Sequence, residues 1–360
     1  MRLLQGRDAQ VRGAVLAIAI AAPFFLSDYT VSTLLTQALI LGIVAASLIY
    51  LSAYAGMVSL AQVALYGIAG FMLGNFTTHG TTKGLNLGWP TWAGMIVAFL
   101  ITVAVSVLLG ALSARSVGIY FLMITLTYAV IANLFFGQVE TLSGFGGISG
   151  ITPLSWLGSP NENPERLYWL CLIVALLVYL GLRYSVRTPF GLALQGLRDD
   201  PLRMESLGYN VPLHRTLAFV LAGSVAAIGG MLFVWWNGHI DPATIGLAST
   251  IDVLVIAVLG GLLKLEGAWI GALFFVLIGD YTRGLDLPSW IDSVLGPVIG
   301  GELGERFTTV IGLVFLLIML VSPDGLTGLW SRLSRRRERR GEGPLLVEEA
   351  RAESEVRAPP

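Results

Sequence analysis

Apolar runs separated by short polar turns recur along the chain, and many are long enough to cross about 30 Å of hydrocarbon as helices. Ten are predicted, at Gly13–Leu26, Val31–Leu51, Val58–Phe76, Thr91–Leu112, Gly118–Phe136, Leu167–Leu182, Thr216–Gly238, Thr250–Leu263, Ala268–Tyr281 and Phe307–Val321. The eighth and ninth are short and meet at Lys264-Leu265-Glu266-Gly267, a pattern expected of tilted, broken or partly re-entrant helices. The fold class is therefore all-α, a polytopic membrane bundle of about ten helices. One interruption stands apart. Arg183 to Arg215 is strongly charged and carries helix punctuation: Thr188-Pro189 and Asp200-Pro201 read as N-cap and first helical residue, and Gly208 as a C-terminal stop. Two short helices with a bend at Arg198-Asp199-Asp200 are expected there.

Composition agrees: of 360 residues 55% are hydrophobic and 12% charged, with mean hydropathy +0.76, far too apolar for a soluble domain. A net charge of -1 gives no reason to expect a nucleic-acid partner. The positions of the basic residues are more informative, because Lys and Arg accumulate in cytoplasmic loops. With the N-terminus inside, only Lys83, Arg166, Arg283 and Arg306 of the 22 basic residues fall outside. Leaving out the eight from Arg332 to Arg357, the ratio is still ten inside to four outside. Both termini and the loop from Arg183 to Arg215 are thus expected in the cytoplasm of a bacterial inner membrane protein. Residues 1–330 are expected to form the transmembrane domain, with the first run a retained anchor rather than a cleaved signal. Residues 331–360 read as a disordered charged tail, its arginines beside anionic headgroups.

Candidates for catalysis are few. His79, His214 and His239 lie in separate loops, and Cys171 is the single cysteine, so no metal site is expected. Neither Lys83 nor Lys264 sits in a P-loop, so ATP hydrolysis by that route is excluded, and with few ionisable groups in the spans the energy for any transport is expected from outside the chain. Asp252 and Asp280 fall near the ends of predicted spans, where solvation or capping is expected rather than a proton relay. The pairs Gly70/Gly74, Gly267/Gly271 and Gly296/Gly300 have the spacing that lets helix backbones approach closely.

A family resemblance is carried by Gly191-Leu192-Ala193-Leu194-Gln195-Gly196-Leu197-Arg198-Asp199-Asp200 and by Ser206-Leu207-Gly208-Tyr209-Asn210-Val211. These resemble the cytoplasmic coupling region of branched-chain amino-acid ABC importer permeases, LivM type. Motifs in matching order are Leu51 to Gln62, Gly118 to Leu126, the external loop Leu142-Ser143-Gly144-Phe145-Gly146-Gly147-Ile148, Val258-Leu259-Gly260-Gly261 with Gly267 to Ala272, and Pro323-Asp324-Gly325-Leu326. The resemblance covers roughly residues 30 to 330. Gln195 stands where the family commonly has Arg, Leu263 where the late turn has Gly, and Ala268 where Pro is usual.

The resemblance implies a permease subunit that pairs with a second homologous permease, two cytoplasmic ATPases holding ATP and Mg, and an extracytoplasmic solute-binding protein. No cofactor is expected in this chain. For ATPase coupling, Phe190, Leu194 and Leu197 are expected to fill an apolar groove at i, i+4, i+7 spacing, with Arg198, Asp199, Asp200 and Arg203 making charge-assisted contacts. For the substrate path, the expectation is that backbone N–H groups around Ser143, Gly144, Gly146 and Gly147 face a carboxylate, with an ordinary flexible loop as the alternative. Thr125, Thr127 and Tyr128 are expected to line a pore or to bond between helices. The substrates implied are branched-chain or other hydrophobic amino acids. Urea or short amides within the same family, and an ion-coupled secondary transporter, remain as alternatives.

Overall fold

The computed structural model describes residues 30–79, 84–154, 156–158 and 164–284, with isolated positions in 19–23 and 312–326. The first and tenth predicted spans and the tail fall essentially outside these residues. The remaining spans form helices α1 (Thr36–Tyr50), α2 (Gln62–Thr77), α3 (Thr91–Ser113), α4 (Ile119–Gln138), α5 (Pro164–Arg187), α8 (Val211–Asn237), α9 (Leu247–Gly260) and α10 (Gly267–Gly284). Between α5 and α8 lie the short helices α6 (Pro189–Asp199) and α7 (Pro201–Ser206). β1 (Ile148–Ser149) and β2 (His239–Ile240) form one antiparallel pair, registering Ile148 with Ile240. Among the described residues, five helical stretches are long and apolar enough to cross a membrane: Thr33–Ala55, Thr91–Ser113, Ile119–Gln138, Glu165–Arg187 and Val211–Asn237.

α1, α2 and, from Ala218 onward, α8 form the centre and are largely buried, as expected of helices without a polar face. α3 shows how the periphery attaches. It turns Leu100, Leu108 and Leu112 outward while Gly94, Ala98, Thr102, Ser106 and Gly110 face inward at every fourth position. Lipid tails are as apolar as leucine, so helices associate by close packing, which small residues permit. Gly110 rests on the Phe219 ring of α8, and the Ser106 hydroxyl donates to the Phe219 carbonyl at 3.3 Å. The Gly267/Gly271 pair acts likewise: a Cβ at Gly271 would collide with the Ile256 carbonyl of α9.

Two differences from the sequence pattern have physical causes. α1 is extended by π-helical turns, Thr30–Leu35 and Leu51–Ala55, and stops at Gly56, whose φ of +67° suits a residue without a side chain. The third span therefore starts at Gln62 rather than Val58, after a non-helical stretch. This stretch is enclosed by protein: Ser47, Ser59 and Gln62 are buried together, with the Ser47 hydroxyl donating to Gln62 Oε1 at 3.2 Å. The eighth span is a 14-residue helix preceded by a 3-10 turn at Pro242–Ile245, so α9 measures only about 21 Å along its axis. α9 and α10 then form a hairpin, its turn tied to α1 by Ser52, which donates to the Leu262 carbonyl at 3.1 Å.

Candidate functional site

Among the described residues, polar side chains gather at the two ends of the bundle and around a cavity between its helices. At the first end, α6 starts where Thr188 accepts from the Gly191 amide, and α7 starts where Asp200 accepts from the Arg203 amide at 3.0 Å. Gly208, with φ +90°, follows α7. The turn from α5 into α6 is so tight that a Cβ at Gly191 would strike the Ser185 carbonyl and the Val186 backbone. Gln195 fastens the same turn by donating to the Val186 carbonyl at 3.3 Å.

Within this end, the sequence-derived coupling residues divide into two groups. Leu194 and Leu197 are 1% and 3% exposed and pack in the core of their own chain, while Phe190 is half-buried and stacks on the His214 ring at 6.0 Å. A partner groove therefore has no access to the Leu194/Leu197 stripe, contrary to the i, i+4, i+7 expectation. The reason is that α6 needs its apolar stripe to seat beneath α1 and α8. The exposed apolar side chains are instead Leu192, Leu202 and Leu207, at 60%, 75% and 67%. Sequence periodicity fixes an apolar stripe but not whether it faces this chain or another.

Arg198 also turns toward its own chain. Its Nη1 donates to the Ala53 carbonyl at the end of α1, and its side chain covers Gly56. Its Nε and Nη2 donate to Asp199 Oδ1 at 3.0 and 2.9 Å. Asp199 and Arg203 are exposed. Arg198 thus links α6 to the break between α1 and α2, a role its charge alone did not reveal.

At the opposite end, the glycine-rich loop follows α4. The amides of Ser143 and Gly144 donate to the Val139 carbonyl, and that of Gly147 to Gly144, so these N–H groups are not offered to a carboxylate as expected. Gly147, at φ +66°, lets the loop lie against the Ile240 carbonyl and Asp241, beside the β1–β2 pair. Gly146 is exposed and Ser143 buried, its hydroxyl donating to the Gly144 carbonyl at 3.0 Å. Asn75, fully buried at the end of α2, donates to the Leu142 carbonyl at 2.8 Å and accepts from the Leu85 amide at 2.8 Å.

Of the α4 hydroxyls, those of Thr125 and Tyr128 bond to other segments, while that of Thr127 bonds within the helix. Thr125 accepts from the Leu60 amide at 3.1 Å and donates to the Leu122 carbonyl, Thr127 donates to the Met123 carbonyl, and Tyr128 donates to the Leu109 carbonyl at 3.4 Å. None of the three lines the cavity.

The cavity, of about 640 Å³, lies among α1, α2, α8, α9 and α10. One wall is apolar and aromatic, with Val44, Val63, Tyr66, Phe233 and Phe275; Tyr66 and Phe233 meet at 5.4 Å. The other carries Thr33, Gln37, Thr244, Ser249, Asp252 and Asp280. Asp252 and Asp280, read from the sequence as span-end residues, therefore line the same cavity. The signal that pointed to them was their being acidic residues in apolar runs; only packing brought them together.

Comparison with known proteins matches residues 30–322 to the family model described as branched-chain amino acid transport system / permease component. Over 340 residues the chain is 26% identical to the high-affinity branched-chain amino acid transport system permease protein LivM of Escherichia coli K12, covering 87% of this chain and 73% of that protein. The LivM protein of Salmonella typhimurium is 25% identical over 340 residues, with the same coverage. A probable branched-chain amino acid transport permease protein LivH of Methanocaldococcus jannaschii is 27% identical over 177 residues, 48% of this chain and 51% of its own length. No solved structure matches the chain significantly. A bundle of lipid-facing helices joined through small residues, with a docked polar helix pair at one end and matched over most of its length, belongs to the branched-chain amino acid transport system permease family.

Proposed function

We propose that this chain is one of two permease subunits of an ATP-driven importer for branched-chain and related hydrophobic amino acids. Its partners are a second homologous permease, two cytoplasmic ATPases that hold ATP and Mg, and an extracytoplasmic solute-binding protein. The observation that carries this reading is the two-sided build of α6 and α7. Their inner face is held by Leu194, Leu197, Gln195 and Arg198, while Leu192, Leu202 and Leu207 project among Asp199, Arg203 and Glu205. Exposed leucines ringed by charges suit a partner that buries the first and pairs the second.

Force reaches the bundle along a short route. A displacement of α6 pulls through Arg198 on the Ala53 carbonyl and on the non-helical stretch that begins α2. Both α1 and α2 line the cavity, so tilting them changes its shape and access. Arg198 is a positioning residue in this scheme.

The test is ATP-driven leucine uptake by the four-subunit complex in proteoliposomes, with the binding protein supplied. Changing Leu202 and Leu207 to Asp should weaken ATPase association by about thirty-fold or more, a loss of roughly 2 kcal/mol or more, without lowering the melting temperature of the permease. Normal uptake and ATPase association in that variant would overturn the docking assignment. Uptake that survives loss of the ATPases but ends when ion gradients collapse would instead identify an ion-coupled secondary transporter. Transport of urea but not leucine would move the substrate to short amides.

A further inference from the structure

Resting on the reading of this chain as an importer permease, we propose that the cavity is a site for the ammonium end of an amphipathic solute, bound by Asp252 and Asp280 against the aromatic wall of Tyr66, Phe233 and Phe275. The site reads the amine, not the carboxylate. Three observations combine. The lining contains two carboxylates and, among the described residues, no Lys, Arg or His. Asp252 has no hydrogen-bond or ion-pair partner among the described residues, and a carboxylate inside a membrane bundle is costly unless a cation or donor meets it.

The third observation is the direction of the hydroxyls. Thr244 already donates to Asp241 Oδ1 at 2.8 Å and Ser249 to the Ala243 carbonyl at 3.2 Å. Both protons are used by the chain, so these oxygens have only lone pairs left for the cavity. An ammonium has three donors and no acceptor and fits the Thr244 and Ser249 oxygens beside Asp252, with the Gln37 carbonyl as a further acceptor. A carboxylate meets the unpaired charge of Asp252 there. A bare metal ion would leave most of the 640 Å³ and the whole aromatic wall unused, whereas a cavity of this size lies within the roughly 300–1,000 Å³ range of organic ligand sites. Aromatic faces also attract an organic cation directly.

The test measures equilibrium binding to the complete transporter in lipid nanodiscs, without the solute-binding protein and corrected for empty nanodiscs. The probes are 3-methylbutylamine, 3-methylbutanoate and methylamine, each titrated with and without sodium chloride. The expected result is saturable binding of 3-methylbutylamine, with 3-methylbutanoate failing to bind and methylamine binding weakly. Asp252→Asn should reduce amine affinity about ten-fold or more and Asp252→Glu should retain most of it, in complexes that stay monodisperse and melt like the parent. Binding of the carboxylate as tightly as the amine would overturn the proposal, as would unaltered amine binding in Asp252→Asn. Methylamine binding equal to 3-methylbutylamine, with displacement of both by sodium, would replace it with a simple cation site. Should Asp252→Asn fail to assemble, the amine-to-carboxylate ratio of the parent complex decides alone. Leucine uptake by a complex that binds no amine overturns the cavity assignment and leaves the importer reading standing; amine binding without leucine uptake does the reverse.

Discussion

The loop containing α6 and α7 and the glycine-rich loop after α4 lie at opposite ends of the bundle, and each is fastened to it by a polar side chain reaching a carbonyl. Arg198 reaches Ala53 at one end, and Asn75 reaches Leu142 at the other. The two loops differ in what they leave over. The first satisfies its helix starts with Thr188 and Asp200, buries Leu194 and Leu197, and still exposes three leucines. The second spends the amides of Ser143, Gly144 and Gly147 on its own turns and pairs Ile148 with Ile240. A polar loop is thus not by that fact a binding loop; what counts is the inventory left once the chain has satisfied itself.

The comparison breaks most readily at Gly191. Gly191→Leu pushes a side chain into the backbone of Ser185 and Val186 and should cost about 3 kcal/mol, releasing α6. The measurement is thermal melting together with ATPase co-purification; if both remain normal, α6 is not seated through that turn.

A sharper division comes from two leucines of α6 on opposite faces. Leu194→Ala should destabilise the permease by about 2–3 kcal/mol, while Leu192→Ala should change stability by no more than about 0.5 kcal/mol and lower ATPase affinity instead. Equal melting temperatures for the two variants would contradict the two-sided build.

The smallest effect belongs to the opposite end. Asn75→Ala removes the partner of the Leu85 amide and of the Leu142 carbonyl, and should cost about 1–2 kcal/mol with no change in ATPase binding. Hydrogen exchange should rise in residues 84–86 and 139–144 but not in α6. Protection lost in both places would mean that the two ends are one cooperative unit.

Much of this architecture is readable from sequence because its signals are local. Hydrophobic runs place eight described helices, and Thr188-Pro189, Asp200-Pro201 and Gly208 place α6 and α7 to within a residue or two, since a cap and the amide it satisfies lie three residues apart. The spacing of Gly267 and Gly271 likewise foretells the close approach to α9. The break at residues 56–61 is less legible. It shows only as Gly56 within apolar sequence, because Ser47 and Gln62, which are buried with Ser59 and support it, come from either side of the break.

The sequence by itself determined that the chain spans a membrane, roughly where its described helices lie, and that one polar insert folds as two capped helices. Each of these depends on hydrophobic length or on groups a few residues apart. Tertiary structure decided that Leu194 and Leu197 face inward, that Arg198 reaches α1, that the amides of Ser143, Gly144 and Gly147 are used within their own loop, and that Asp252 and Asp280 share one cavity. Asp252 and Asp280 sit on different helices, and a side chain's neighbours across helices follow from packing geometry, which no local pattern encodes.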